Sequence, residues 1–200
     1  MFDAKLRPLI DPPLNRAGRA LARLGVTANA LTIAGLALGL AGAGAIASGA
    51  IGAGLALILA NRLIDGLDGA VARARGPTAF GGYLDIVADF AFYVSVPLGF
   101  GVLADANTLP ALVLVASFVL TGVSFLAFAT IAATRGEETA AHGRKSFFYS
   151  TGLAEGAETI LVFALMCLFP AWFGVIAYAY AGLCVLTVFQ RSAMALAQFR

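Results

Sequence analysis

The chain has 200 residues, of which 60% are hydrophobic and only 12% charged, with a formal net charge of +2; its mean hydropathy is +0.91. So few charges cannot solvate the surface of an ordinary globular protein; a net charge of +2 says little by itself, and no nucleic-acid partner is expected. A single-domain, all-α integral membrane protein is expected.

Residues 1–28 read as a cytoplasmic interfacial segment. Pro8, Pro12 and Pro13 predict an irregular first dozen residues. Arg16, Arg19 and Arg23 then recur at helical spacing, with Leu14, Ala17, Leu21 and Leu24 on the other side. That pattern fits a basic amphipathic helix lying on an anionic membrane face; a plain solvated helix is the alternative. No cleavable signal peptide is expected, because this N-terminus lacks a short apolar core. Thr27 fits the N-cap of the first apolar run.

Residues 29–200 read as a six-helix membrane domain with spans at 29–48, 51–74, 80–103, 109–133, 149–169 and 171–190. Each approaches the ~20 residues that cross ~30 Å of hydrocarbon. Gly35, Gly39, Gly42 and Gly44 predict close helix packing in the first span. Asp105 and Asn107 mark a turn before the fourth, Thr134 to Lys145 is the longest polar stretch, and Pro170 marks a turn before the sixth. Cys167 and Cys184 fall in apolar runs and are expected as buried, inert thiols. Tyr149, Trp172, Tyr178 and Tyr180 read as interfacial or packing aromatics. His142 sits in the polar stretch and reads as solvated.

Charge asymmetry sets the orientation. Lys5, Arg7, Arg16, Arg19 and Arg23 precede the first span. Arg73 and Arg75 follow the second, Arg135, Arg144 and Lys145 follow the fourth, and Arg191 and Arg200 lie in the tail. Every basic residue except Arg62 therefore falls on one side, which the positive-inside rule makes cytoplasmic, with both termini.

Four aspartates stand out in this apolar chain: Asp65 and Asp68, three apart in the second span, and Asp85 and Asp89, four apart in the third. Each pair shares one helix face, and a hairpin through Arg75, Gly76 and Pro77 brings the pairs together. Counting ~1.5 Å per residue puts Asp65 ~9 Å, Asp85 ~7 Å and Asp89 ~13 Å below the cytoplasmic edge. Carboxylates at such depth need neutralising, and with few basic side chains nearby a divalent cation is the expected partner. An all-oxygen donor set suits Mg²⁺, Mn²⁺ or Ca²⁺ rather than zinc. A charge-compensated helix pair without a ligand would not need four acids. Gly66, Gly69, Ala70 and Ala72 clear bulk beside the carboxylates, as close approach of a diphosphate would require, and Arg73 can pair with phosphate.

The run Asp65-x2-Asp68-Gly69-x2-Ala72-Arg73-x7-Gly81-x3-Asp85-x3-Asp89 resembles the signature of the CDP-alcohol phosphotransferase (CDP-alcohol phosphatidyltransferase) family. The resemblance implies a membrane transferase that moves a phosphatidyl group from a CDP-linked lipid such as CDP-diacylglycerol to an alcohol and releases CMP. Carried over by motif position, Asp65, Asp68 and Asp85 are metal ligands. Asp89 completes a second metal position and is the catalytic base, so two Mg²⁺ or Mn²⁺ ions are expected. Gly69, Ala72, Arg73, Thr78 and Gly81 are the expected contacts to the cytidine diphosphate. Acceptor-binding candidates are Arg62, Arg144, Lys145, Glu155 and Glu158. Arg62 can instead pair with an aspartate or with Glu155 or Glu158, the glutamates can pair with Arg62 or Arg144, and Arg144 and Lys145 also read as a positive flank. A phosphorylated polyol, glycerol 3-phosphate or an inositol phosphate, fits those basic residues. Other polyols and lipid alcohols stay open. The expected setting is the bacterial inner (plasma) membrane, as a homodimer among membrane lipid, with the site toward the cytoplasm. The rival readings are a polyprenyl-diphosphate transferase, which lacks the Ala-Arg and second Asp-pair continuation, and a cation or proton transporter, which gives no reason for the small residues beside the acids.

Overall fold

The computed structural model describes residues 3–135, 154 and 156–199, with side chains from Ile10 onward. Helix is the regular structure throughout the described residues: α1 Asp3–Arg23, α2 Ala28–Ala47, α3 Ile51–Arg75, α4 Ala79–Leu103, α5 Asp105–Thr134, α6 Gly156–Leu168 and α7 Phe173–Gln198, with a single 3₁₀ turn, Pro170–Trp172, before α7. Among the described residues, four stretches are long and apolar enough to cross a membrane: α2, α4, α5, and α7 together with its leading turn. Helix α3 matches α4 in length but carries Arg62, Asp65 and Asp68 in its middle.

Local chemistry explains most boundaries. Thr27 caps α2, its hydroxyl accepting from the Ala30 amide at 3.2 Å, and Thr78 caps α4 by accepting from the Gly81 amide at 3.0 Å. Between α3 and α4 the chain reverses at Gly76, whose φ of +96° suits a residue without a Cβ. The hairpin that the two aspartate pairs demand is therefore built from Gly76, Pro77 and Thr78.

Three expected boundaries are corrected. The prolines do not unravel the N-terminus, since α1 begins at Asp3 and runs through Pro8, Pro12 and Pro13. Proline removes a donor, but its fixed φ is already helical. Asp105 and Asn107 form the first turn of α5 rather than a loop before it. Asn107 Nδ2 donates to the Phe100 carbonyl at 3.2 Å and the Thr108 hydroxyl to the Gly101 carbonyl at 3.3 Å, so these polar side chains satisfy the end of α4. The last helix does not stop at 190 but continues to Gln198. Of the expected fifth span, α6 covers the described part; its beginning, with Arg144, Lys145, Tyr149 and Glu155, lies outside the described residues, as does His142.

Helix α2 packs on α3 and α4, α4 on α5, α5 on α7, and α1 along α3; α6 makes smaller contacts with α3 and α7. The α2 glycines allow the close approach expected of them: a Cβ on Gly39 would stand 2.5 Å from the Phe92 ring of α4. Aromatic rings fill the core where α4, α5, α6 and α7 meet. Phe92, Phe100, Phe163 and Phe173 are fully buried, with Phe92 edge-on to Phe163 at 5.8 Å and Phe100 stacked on Phe173 at 4.6 Å. Cys167 and Cys184 are buried free thiols, as expected. Tyr180 is buried, whereas Trp172 and Tyr178 are exposed.

Candidate active site

The hairpin of α3 and α4 brings the two aspartate pairs together. One carboxylate oxygen each from Asp65, Asp68 and Asp85 lies within 4.8 Å of the other two. Hard divalent cations bind oxygen at about 2.0–2.6 Å, so one ion can bridge oxygens at that spacing. The geometry and the all-oxygen donor set fit Mg²⁺ or Mn²⁺.

Asp68 is the most enclosed of the three, with 5% of its surface exposed. The Thr32 hydroxyl of α2 donates to its Oδ2 at 2.7 Å, which restrains the carboxylate. Asp89 is held differently. Its Oδ1 accepts from Nη1 of Arg62 at 3.0 Å, and the same nitrogen lies 3.6 Å from Asp65 Oδ2. The acids therefore have one basic partner, the pairing of Arg62 with aspartate that the sequence allowed. Arg62 reaches forward one turn along α3 and across to α4, because its side chain is long enough to cover both distances.

These groups line a cavity of about 630 Å³ that also exposes Gly66, Gly69 and Arg73. Gly69 keeps its expected place beside the carboxylates. Gly66 and Ala70 are spoken for by α1: a Cβ on Gly66 would come within 2.9 Å of Leu14, and Gly18 sits against Ala70 so closely that a Cβ there would be 2.6 Å away. Ala70 thus serves to dock the N-terminal helix, and Gly66 does so while also lining the cavity. Arg73 donates from Nε and Nη2 to Asn15 Oδ1 at 3.1 and 2.9 Å. Arg75 donates to the carbonyls of Gly25 and Val26 at 3.0 and 2.9 Å, which fixes the turn after α1.

The remaining candidates divide. Ala72, Thr78 and Gly81 are not part of the cavity lining, and Thr78 and Gly81 make the α4 cap instead. Glu158 lies in the first turn of α6 but not in the lining, whereas its neighbour Thr159 is. Arg62 pairs with Asp65 and Asp89, not with Glu158, and Arg144, Lys145 and Glu155 fall outside the described residues.

One residue was misread from sequence. Arg191 is not a flank of the tail. It is 7% exposed, on α7, lines the same cavity, and donates from Nη1 to the Thr121 carbonyl at 2.9 Å and the Ser124 hydroxyl at 2.7 Å. Near it the wall continues through Thr121, Phe125, Tyr180 and Cys184; the Tyr180 and Thr159 hydroxyls are bonded at 2.8 Å. Burying an arginine is costly, and here protein oxygens from α5 in the cavity wall meet its charge. The available signal was an arginine following an apolar run with Cys184 and Tyr180 two and three turns earlier on a related face. Thr32, a lone hydroxyl in the α2 apolar run, was also missed.

The chain is similar to several known proteins. Inner membrane protein YnjF of Escherichia coli is 47% identical over 192 residues, covering 96% of this chain and 93% of that protein. An archaetidylinositol phosphate synthase of Pyrococcus horikoshii is 41% identical over 98 residues, 48% of this chain and 52% of its own length. Among solved structures, Mycobacterium tuberculosis phosphatidylinositol phosphate synthase in complex with manganese and citrate is similar at a TM-score of 0.67 and 25% identity, covering 90% of this chain and 87% of that one. The same enzyme with CDP-DAG bound gives a TM-score of 0.63 at 26% identity, covering 90% and 92%. Residues 25–194, which take in both aspartate pairs and Arg191, match the family described as CDP-alcohol phosphatidyltransferase, and the chain belongs to that family of membrane enzymes.

Proposed function

We propose that this chain transfers a phosphatidyl group from a CDP-linked lipid such as CDP-diacylglycerol to a hydroxyl of a phosphorylated polyol, an inositol phosphate before glycerol 3-phosphate, and releases CMP. The observation that carries this reading is one cavity in which a trio of carboxylates and a buried arginine both face the interior. The trio suits a cation-bridged diphosphate; the arginine suits an anionic group on the second substrate. Two of the similar proteins are named as inositol phosphate lipid synthases, and one was solved with manganese and with CDP-DAG. Family membership argues against the prenyl-diphosphate and transporter alternatives.

In this reading Asp65, Asp68 and Asp85 hold Mg²⁺ or Mn²⁺, with Asp89 completing a second ion's position. When bound, the ions offset the diphosphate charge and polarise the phosphorus under attack. Thr32 keeps Asp68 turned toward the cluster. Gly69 lets the diphosphate approach the α3 backbone, and Arg73 pairs with it. Ala72, Thr78 and Gly81 are carried as cytidine-side positions on the family resemblance alone. Arg191 holds the acceptor phosphate. Asp89 accepts the acceptor's hydroxyl proton as its oxygen bonds to the lipid-bearing phosphorus and the bond to the CMP oxygen breaks.

The proposed setting has six spans, with α3 and α6 joining the four apolar stretches. Helix α3 is ~37 Å long at ~1.5 Å per residue, enough to cross. Its polar face is turned to α1, α2 and the cavity rather than to lipid. Helix α1 lies at the cytoplasmic interface, with its Leu14 and Gly18 against α3 and Arg16, Arg19 and Arg23 exposed to a bacterial inner membrane surface. Cysteine placed at Thr78, with Cys167 and Cys184 replaced, should react with an impermeant thiol reagent from the cytoplasmic side only; labelling solely from outside would invert the topology.

The deciding experiment is CMP release from CDP-diacylglycerol by the purified chain in Mn²⁺ or Mg²⁺, with inositol phosphate, glycerol 3-phosphate, and unphosphorylated inositol and glycerol as acceptors. Preference for a phosphorylated acceptor is expected. Equal turnover with the unphosphorylated polyols would refute the acceptor assignment.

A further inference from the structure

Arg62 sits at the end of a chain of contacts that crosses three helices. On α2 the Gly35 carbonyl accepts from Asn61 Nδ2 at 2.7 Å. With its nitrogen so engaged, the Asn61 amide presents Oδ1 to Arg62, and Nε of Arg62 donates to it at 2.6 Å. The guanidinium carbon lies 4.4 Å from the centre of the Phe92 ring and 5.8 Å from that of Tyr93. Phe92 is immobilised in turn: it is fully buried, edge-on to Phe163, and pressed on α2 at Gly39. Only then does Nη1 reach Asp89 Oδ1 at 3.0 Å.

Each of these contacts removes a degree of freedom from the guanidinium. Asn61, 2% exposed, is a buried amide whose two polar atoms are both used, one on the α2 backbone and one on Arg62. An arginine needed only for charge compensation would not require this scaffold, since a flexible ammonium would serve. A ligand for an incoming acceptor would not be committed to two carboxylates of its own chain. The contact also divides Asp89: Oδ1 is taken by Arg62, and Oδ2 is the oxygen left for a proton or an ion. Asp65, Asp68 and Asp85 can meet at one ion, but Asp89 is not in that group.

We propose that Arg62 is a positioning residue, held by Asn61 and Phe92, that fixes the orientation of Asp89 and keeps this fourth carboxylate from being drawn into the metal trio. It touches neither substrate. This rests on the functional reading above for its effect on turnover, but its effect on the carboxylates does not need turnover to be seen.

The test uses the full chain in nanodiscs as wild type, Arg62→Gln, Arg62→Lys, Asp89→Asn and the Arg62→Gln/Asp89→Asn double variant. Two quantities are measured: Mn²⁺ affinity from the electron paramagnetic resonance of free Mn²⁺, and CMP release with acceptor varied. Arg62→Gln should bind Mn²⁺ at least threefold more tightly than wild type, because a cation is lost and Asp89 is released toward the trio; adding Asp89→Asn should reverse the gain. In turnover, Arg62→Gln should lower kcat about tenfold to a hundredfold while the acceptor KM stays within threefold. The double variant should be no slower than Asp89→Asn within a factor of about three, since both changes remove the same arrangement. Arg62→Lys is the folding control. It keeps the charge but cannot donate to Asn61 and Asp89 in one plane, so it should melt close to wild type and keep a kcat deficit. Three results would overturn the proposal: Mn²⁺ affinity unchanged or weaker in Arg62→Gln, an acceptor KM raised tenfold with kcat preserved, or full activity in Arg62→Lys. A wild-type chain that released no CMP with any acceptor would instead remove the functional reading and leave Arg62 to be judged by the Mn²⁺ measurements.

Discussion

The two walls of the cavity are made in opposite ways. On the α3–α4 wall, the reactive groups come from two short runs of sequence whose spacing already places them on one face of each helix. On the α5–α7 wall, Arg191 reaches the cavity through partners 67 and 70 residues away, Ser124 and Thr121. The first wall is specified by helical period and one tight hairpin. The second exists only once α5 and α7 have packed. A metal site needs several oxygens in fixed register, which a helix supplies cheaply from consecutive turns. A pocket for one anionic group needs a single cation and can recruit it from anywhere in the fold.

If the walls divide the labour in this way, substitutions on them should fail differently. Asp68→Asn removes a trio oxygen and should lower kcat/KM by ~10³-fold or more, the size expected when several kcal/mol of metal-derived stabilisation are lost. The loss should follow reduced Mn²⁺ affinity and should not be relieved by excess acceptor. On the other wall, Arg191→Gln should raise the acceptor KM by ~10–100-fold, the worth of a hydrogen bond to a charged group, and leave Mn²⁺ affinity and the CDP-lipid KM near wild type. If Arg191→Gln weakened Mn²⁺ binding as strongly as Asp68→Asn, the division between walls would be wrong. Thr32→Val tests the support behind the first wall. It removes the donor to Asp68 without touching a ligand and should cost ~10-fold in metal affinity, at the low end of what such supporting contacts contribute. Asn15→Ala should have the smallest effect. It frees the exposed Arg73 from α1, and a few-fold rise in the CDP-lipid KM is expected from losing its exposed hydrogen bonds to Asn15; a change in acceptor KM instead would place Arg73 on the wrong wall.

The same contrast explains what could be read without coordinates. Thr78, read as a cytidine diphosphate contact, caps α4, whereas helix α2 begins where Thr27 places it, because a cap is a local signal. The carboxylate trio was legible for the same reason. Asp105 and Asn107 were misplaced because polar side chains can close a helix end as well as a loop. Arg191 was misread because the positive-inside rule treats an arginine after an apolar run as a flank, and only the packing of α5 on α7 turns it inward. Arg62 was recognised as unusual, but its partners could not be chosen, since Asp89 is 27 residues away and Glu155 and Glu158 were as accessible on paper. The small residues at Gly66 and Ala70 show the converse error: absent bulk signals close approach but does not say whether a ligand or another helix approaches.

The central claim is that the Asp65, Asp68 and Asp85 trio is a metal centre serving transfer from a CDP-linked lipid. Its most direct test is CMP release from CDP-diacylglycerol under titration with Mn²⁺, comparing wild type with Asp68→Asn at equal folded, membrane-inserted protein. Saturable, chelator-sensitive release is expected from wild type, with release from Asp68→Asn reduced by ~10³-fold or more. Release that persists in excess chelator, or an Asp68→Asn variant that turns over normally, would contradict the account.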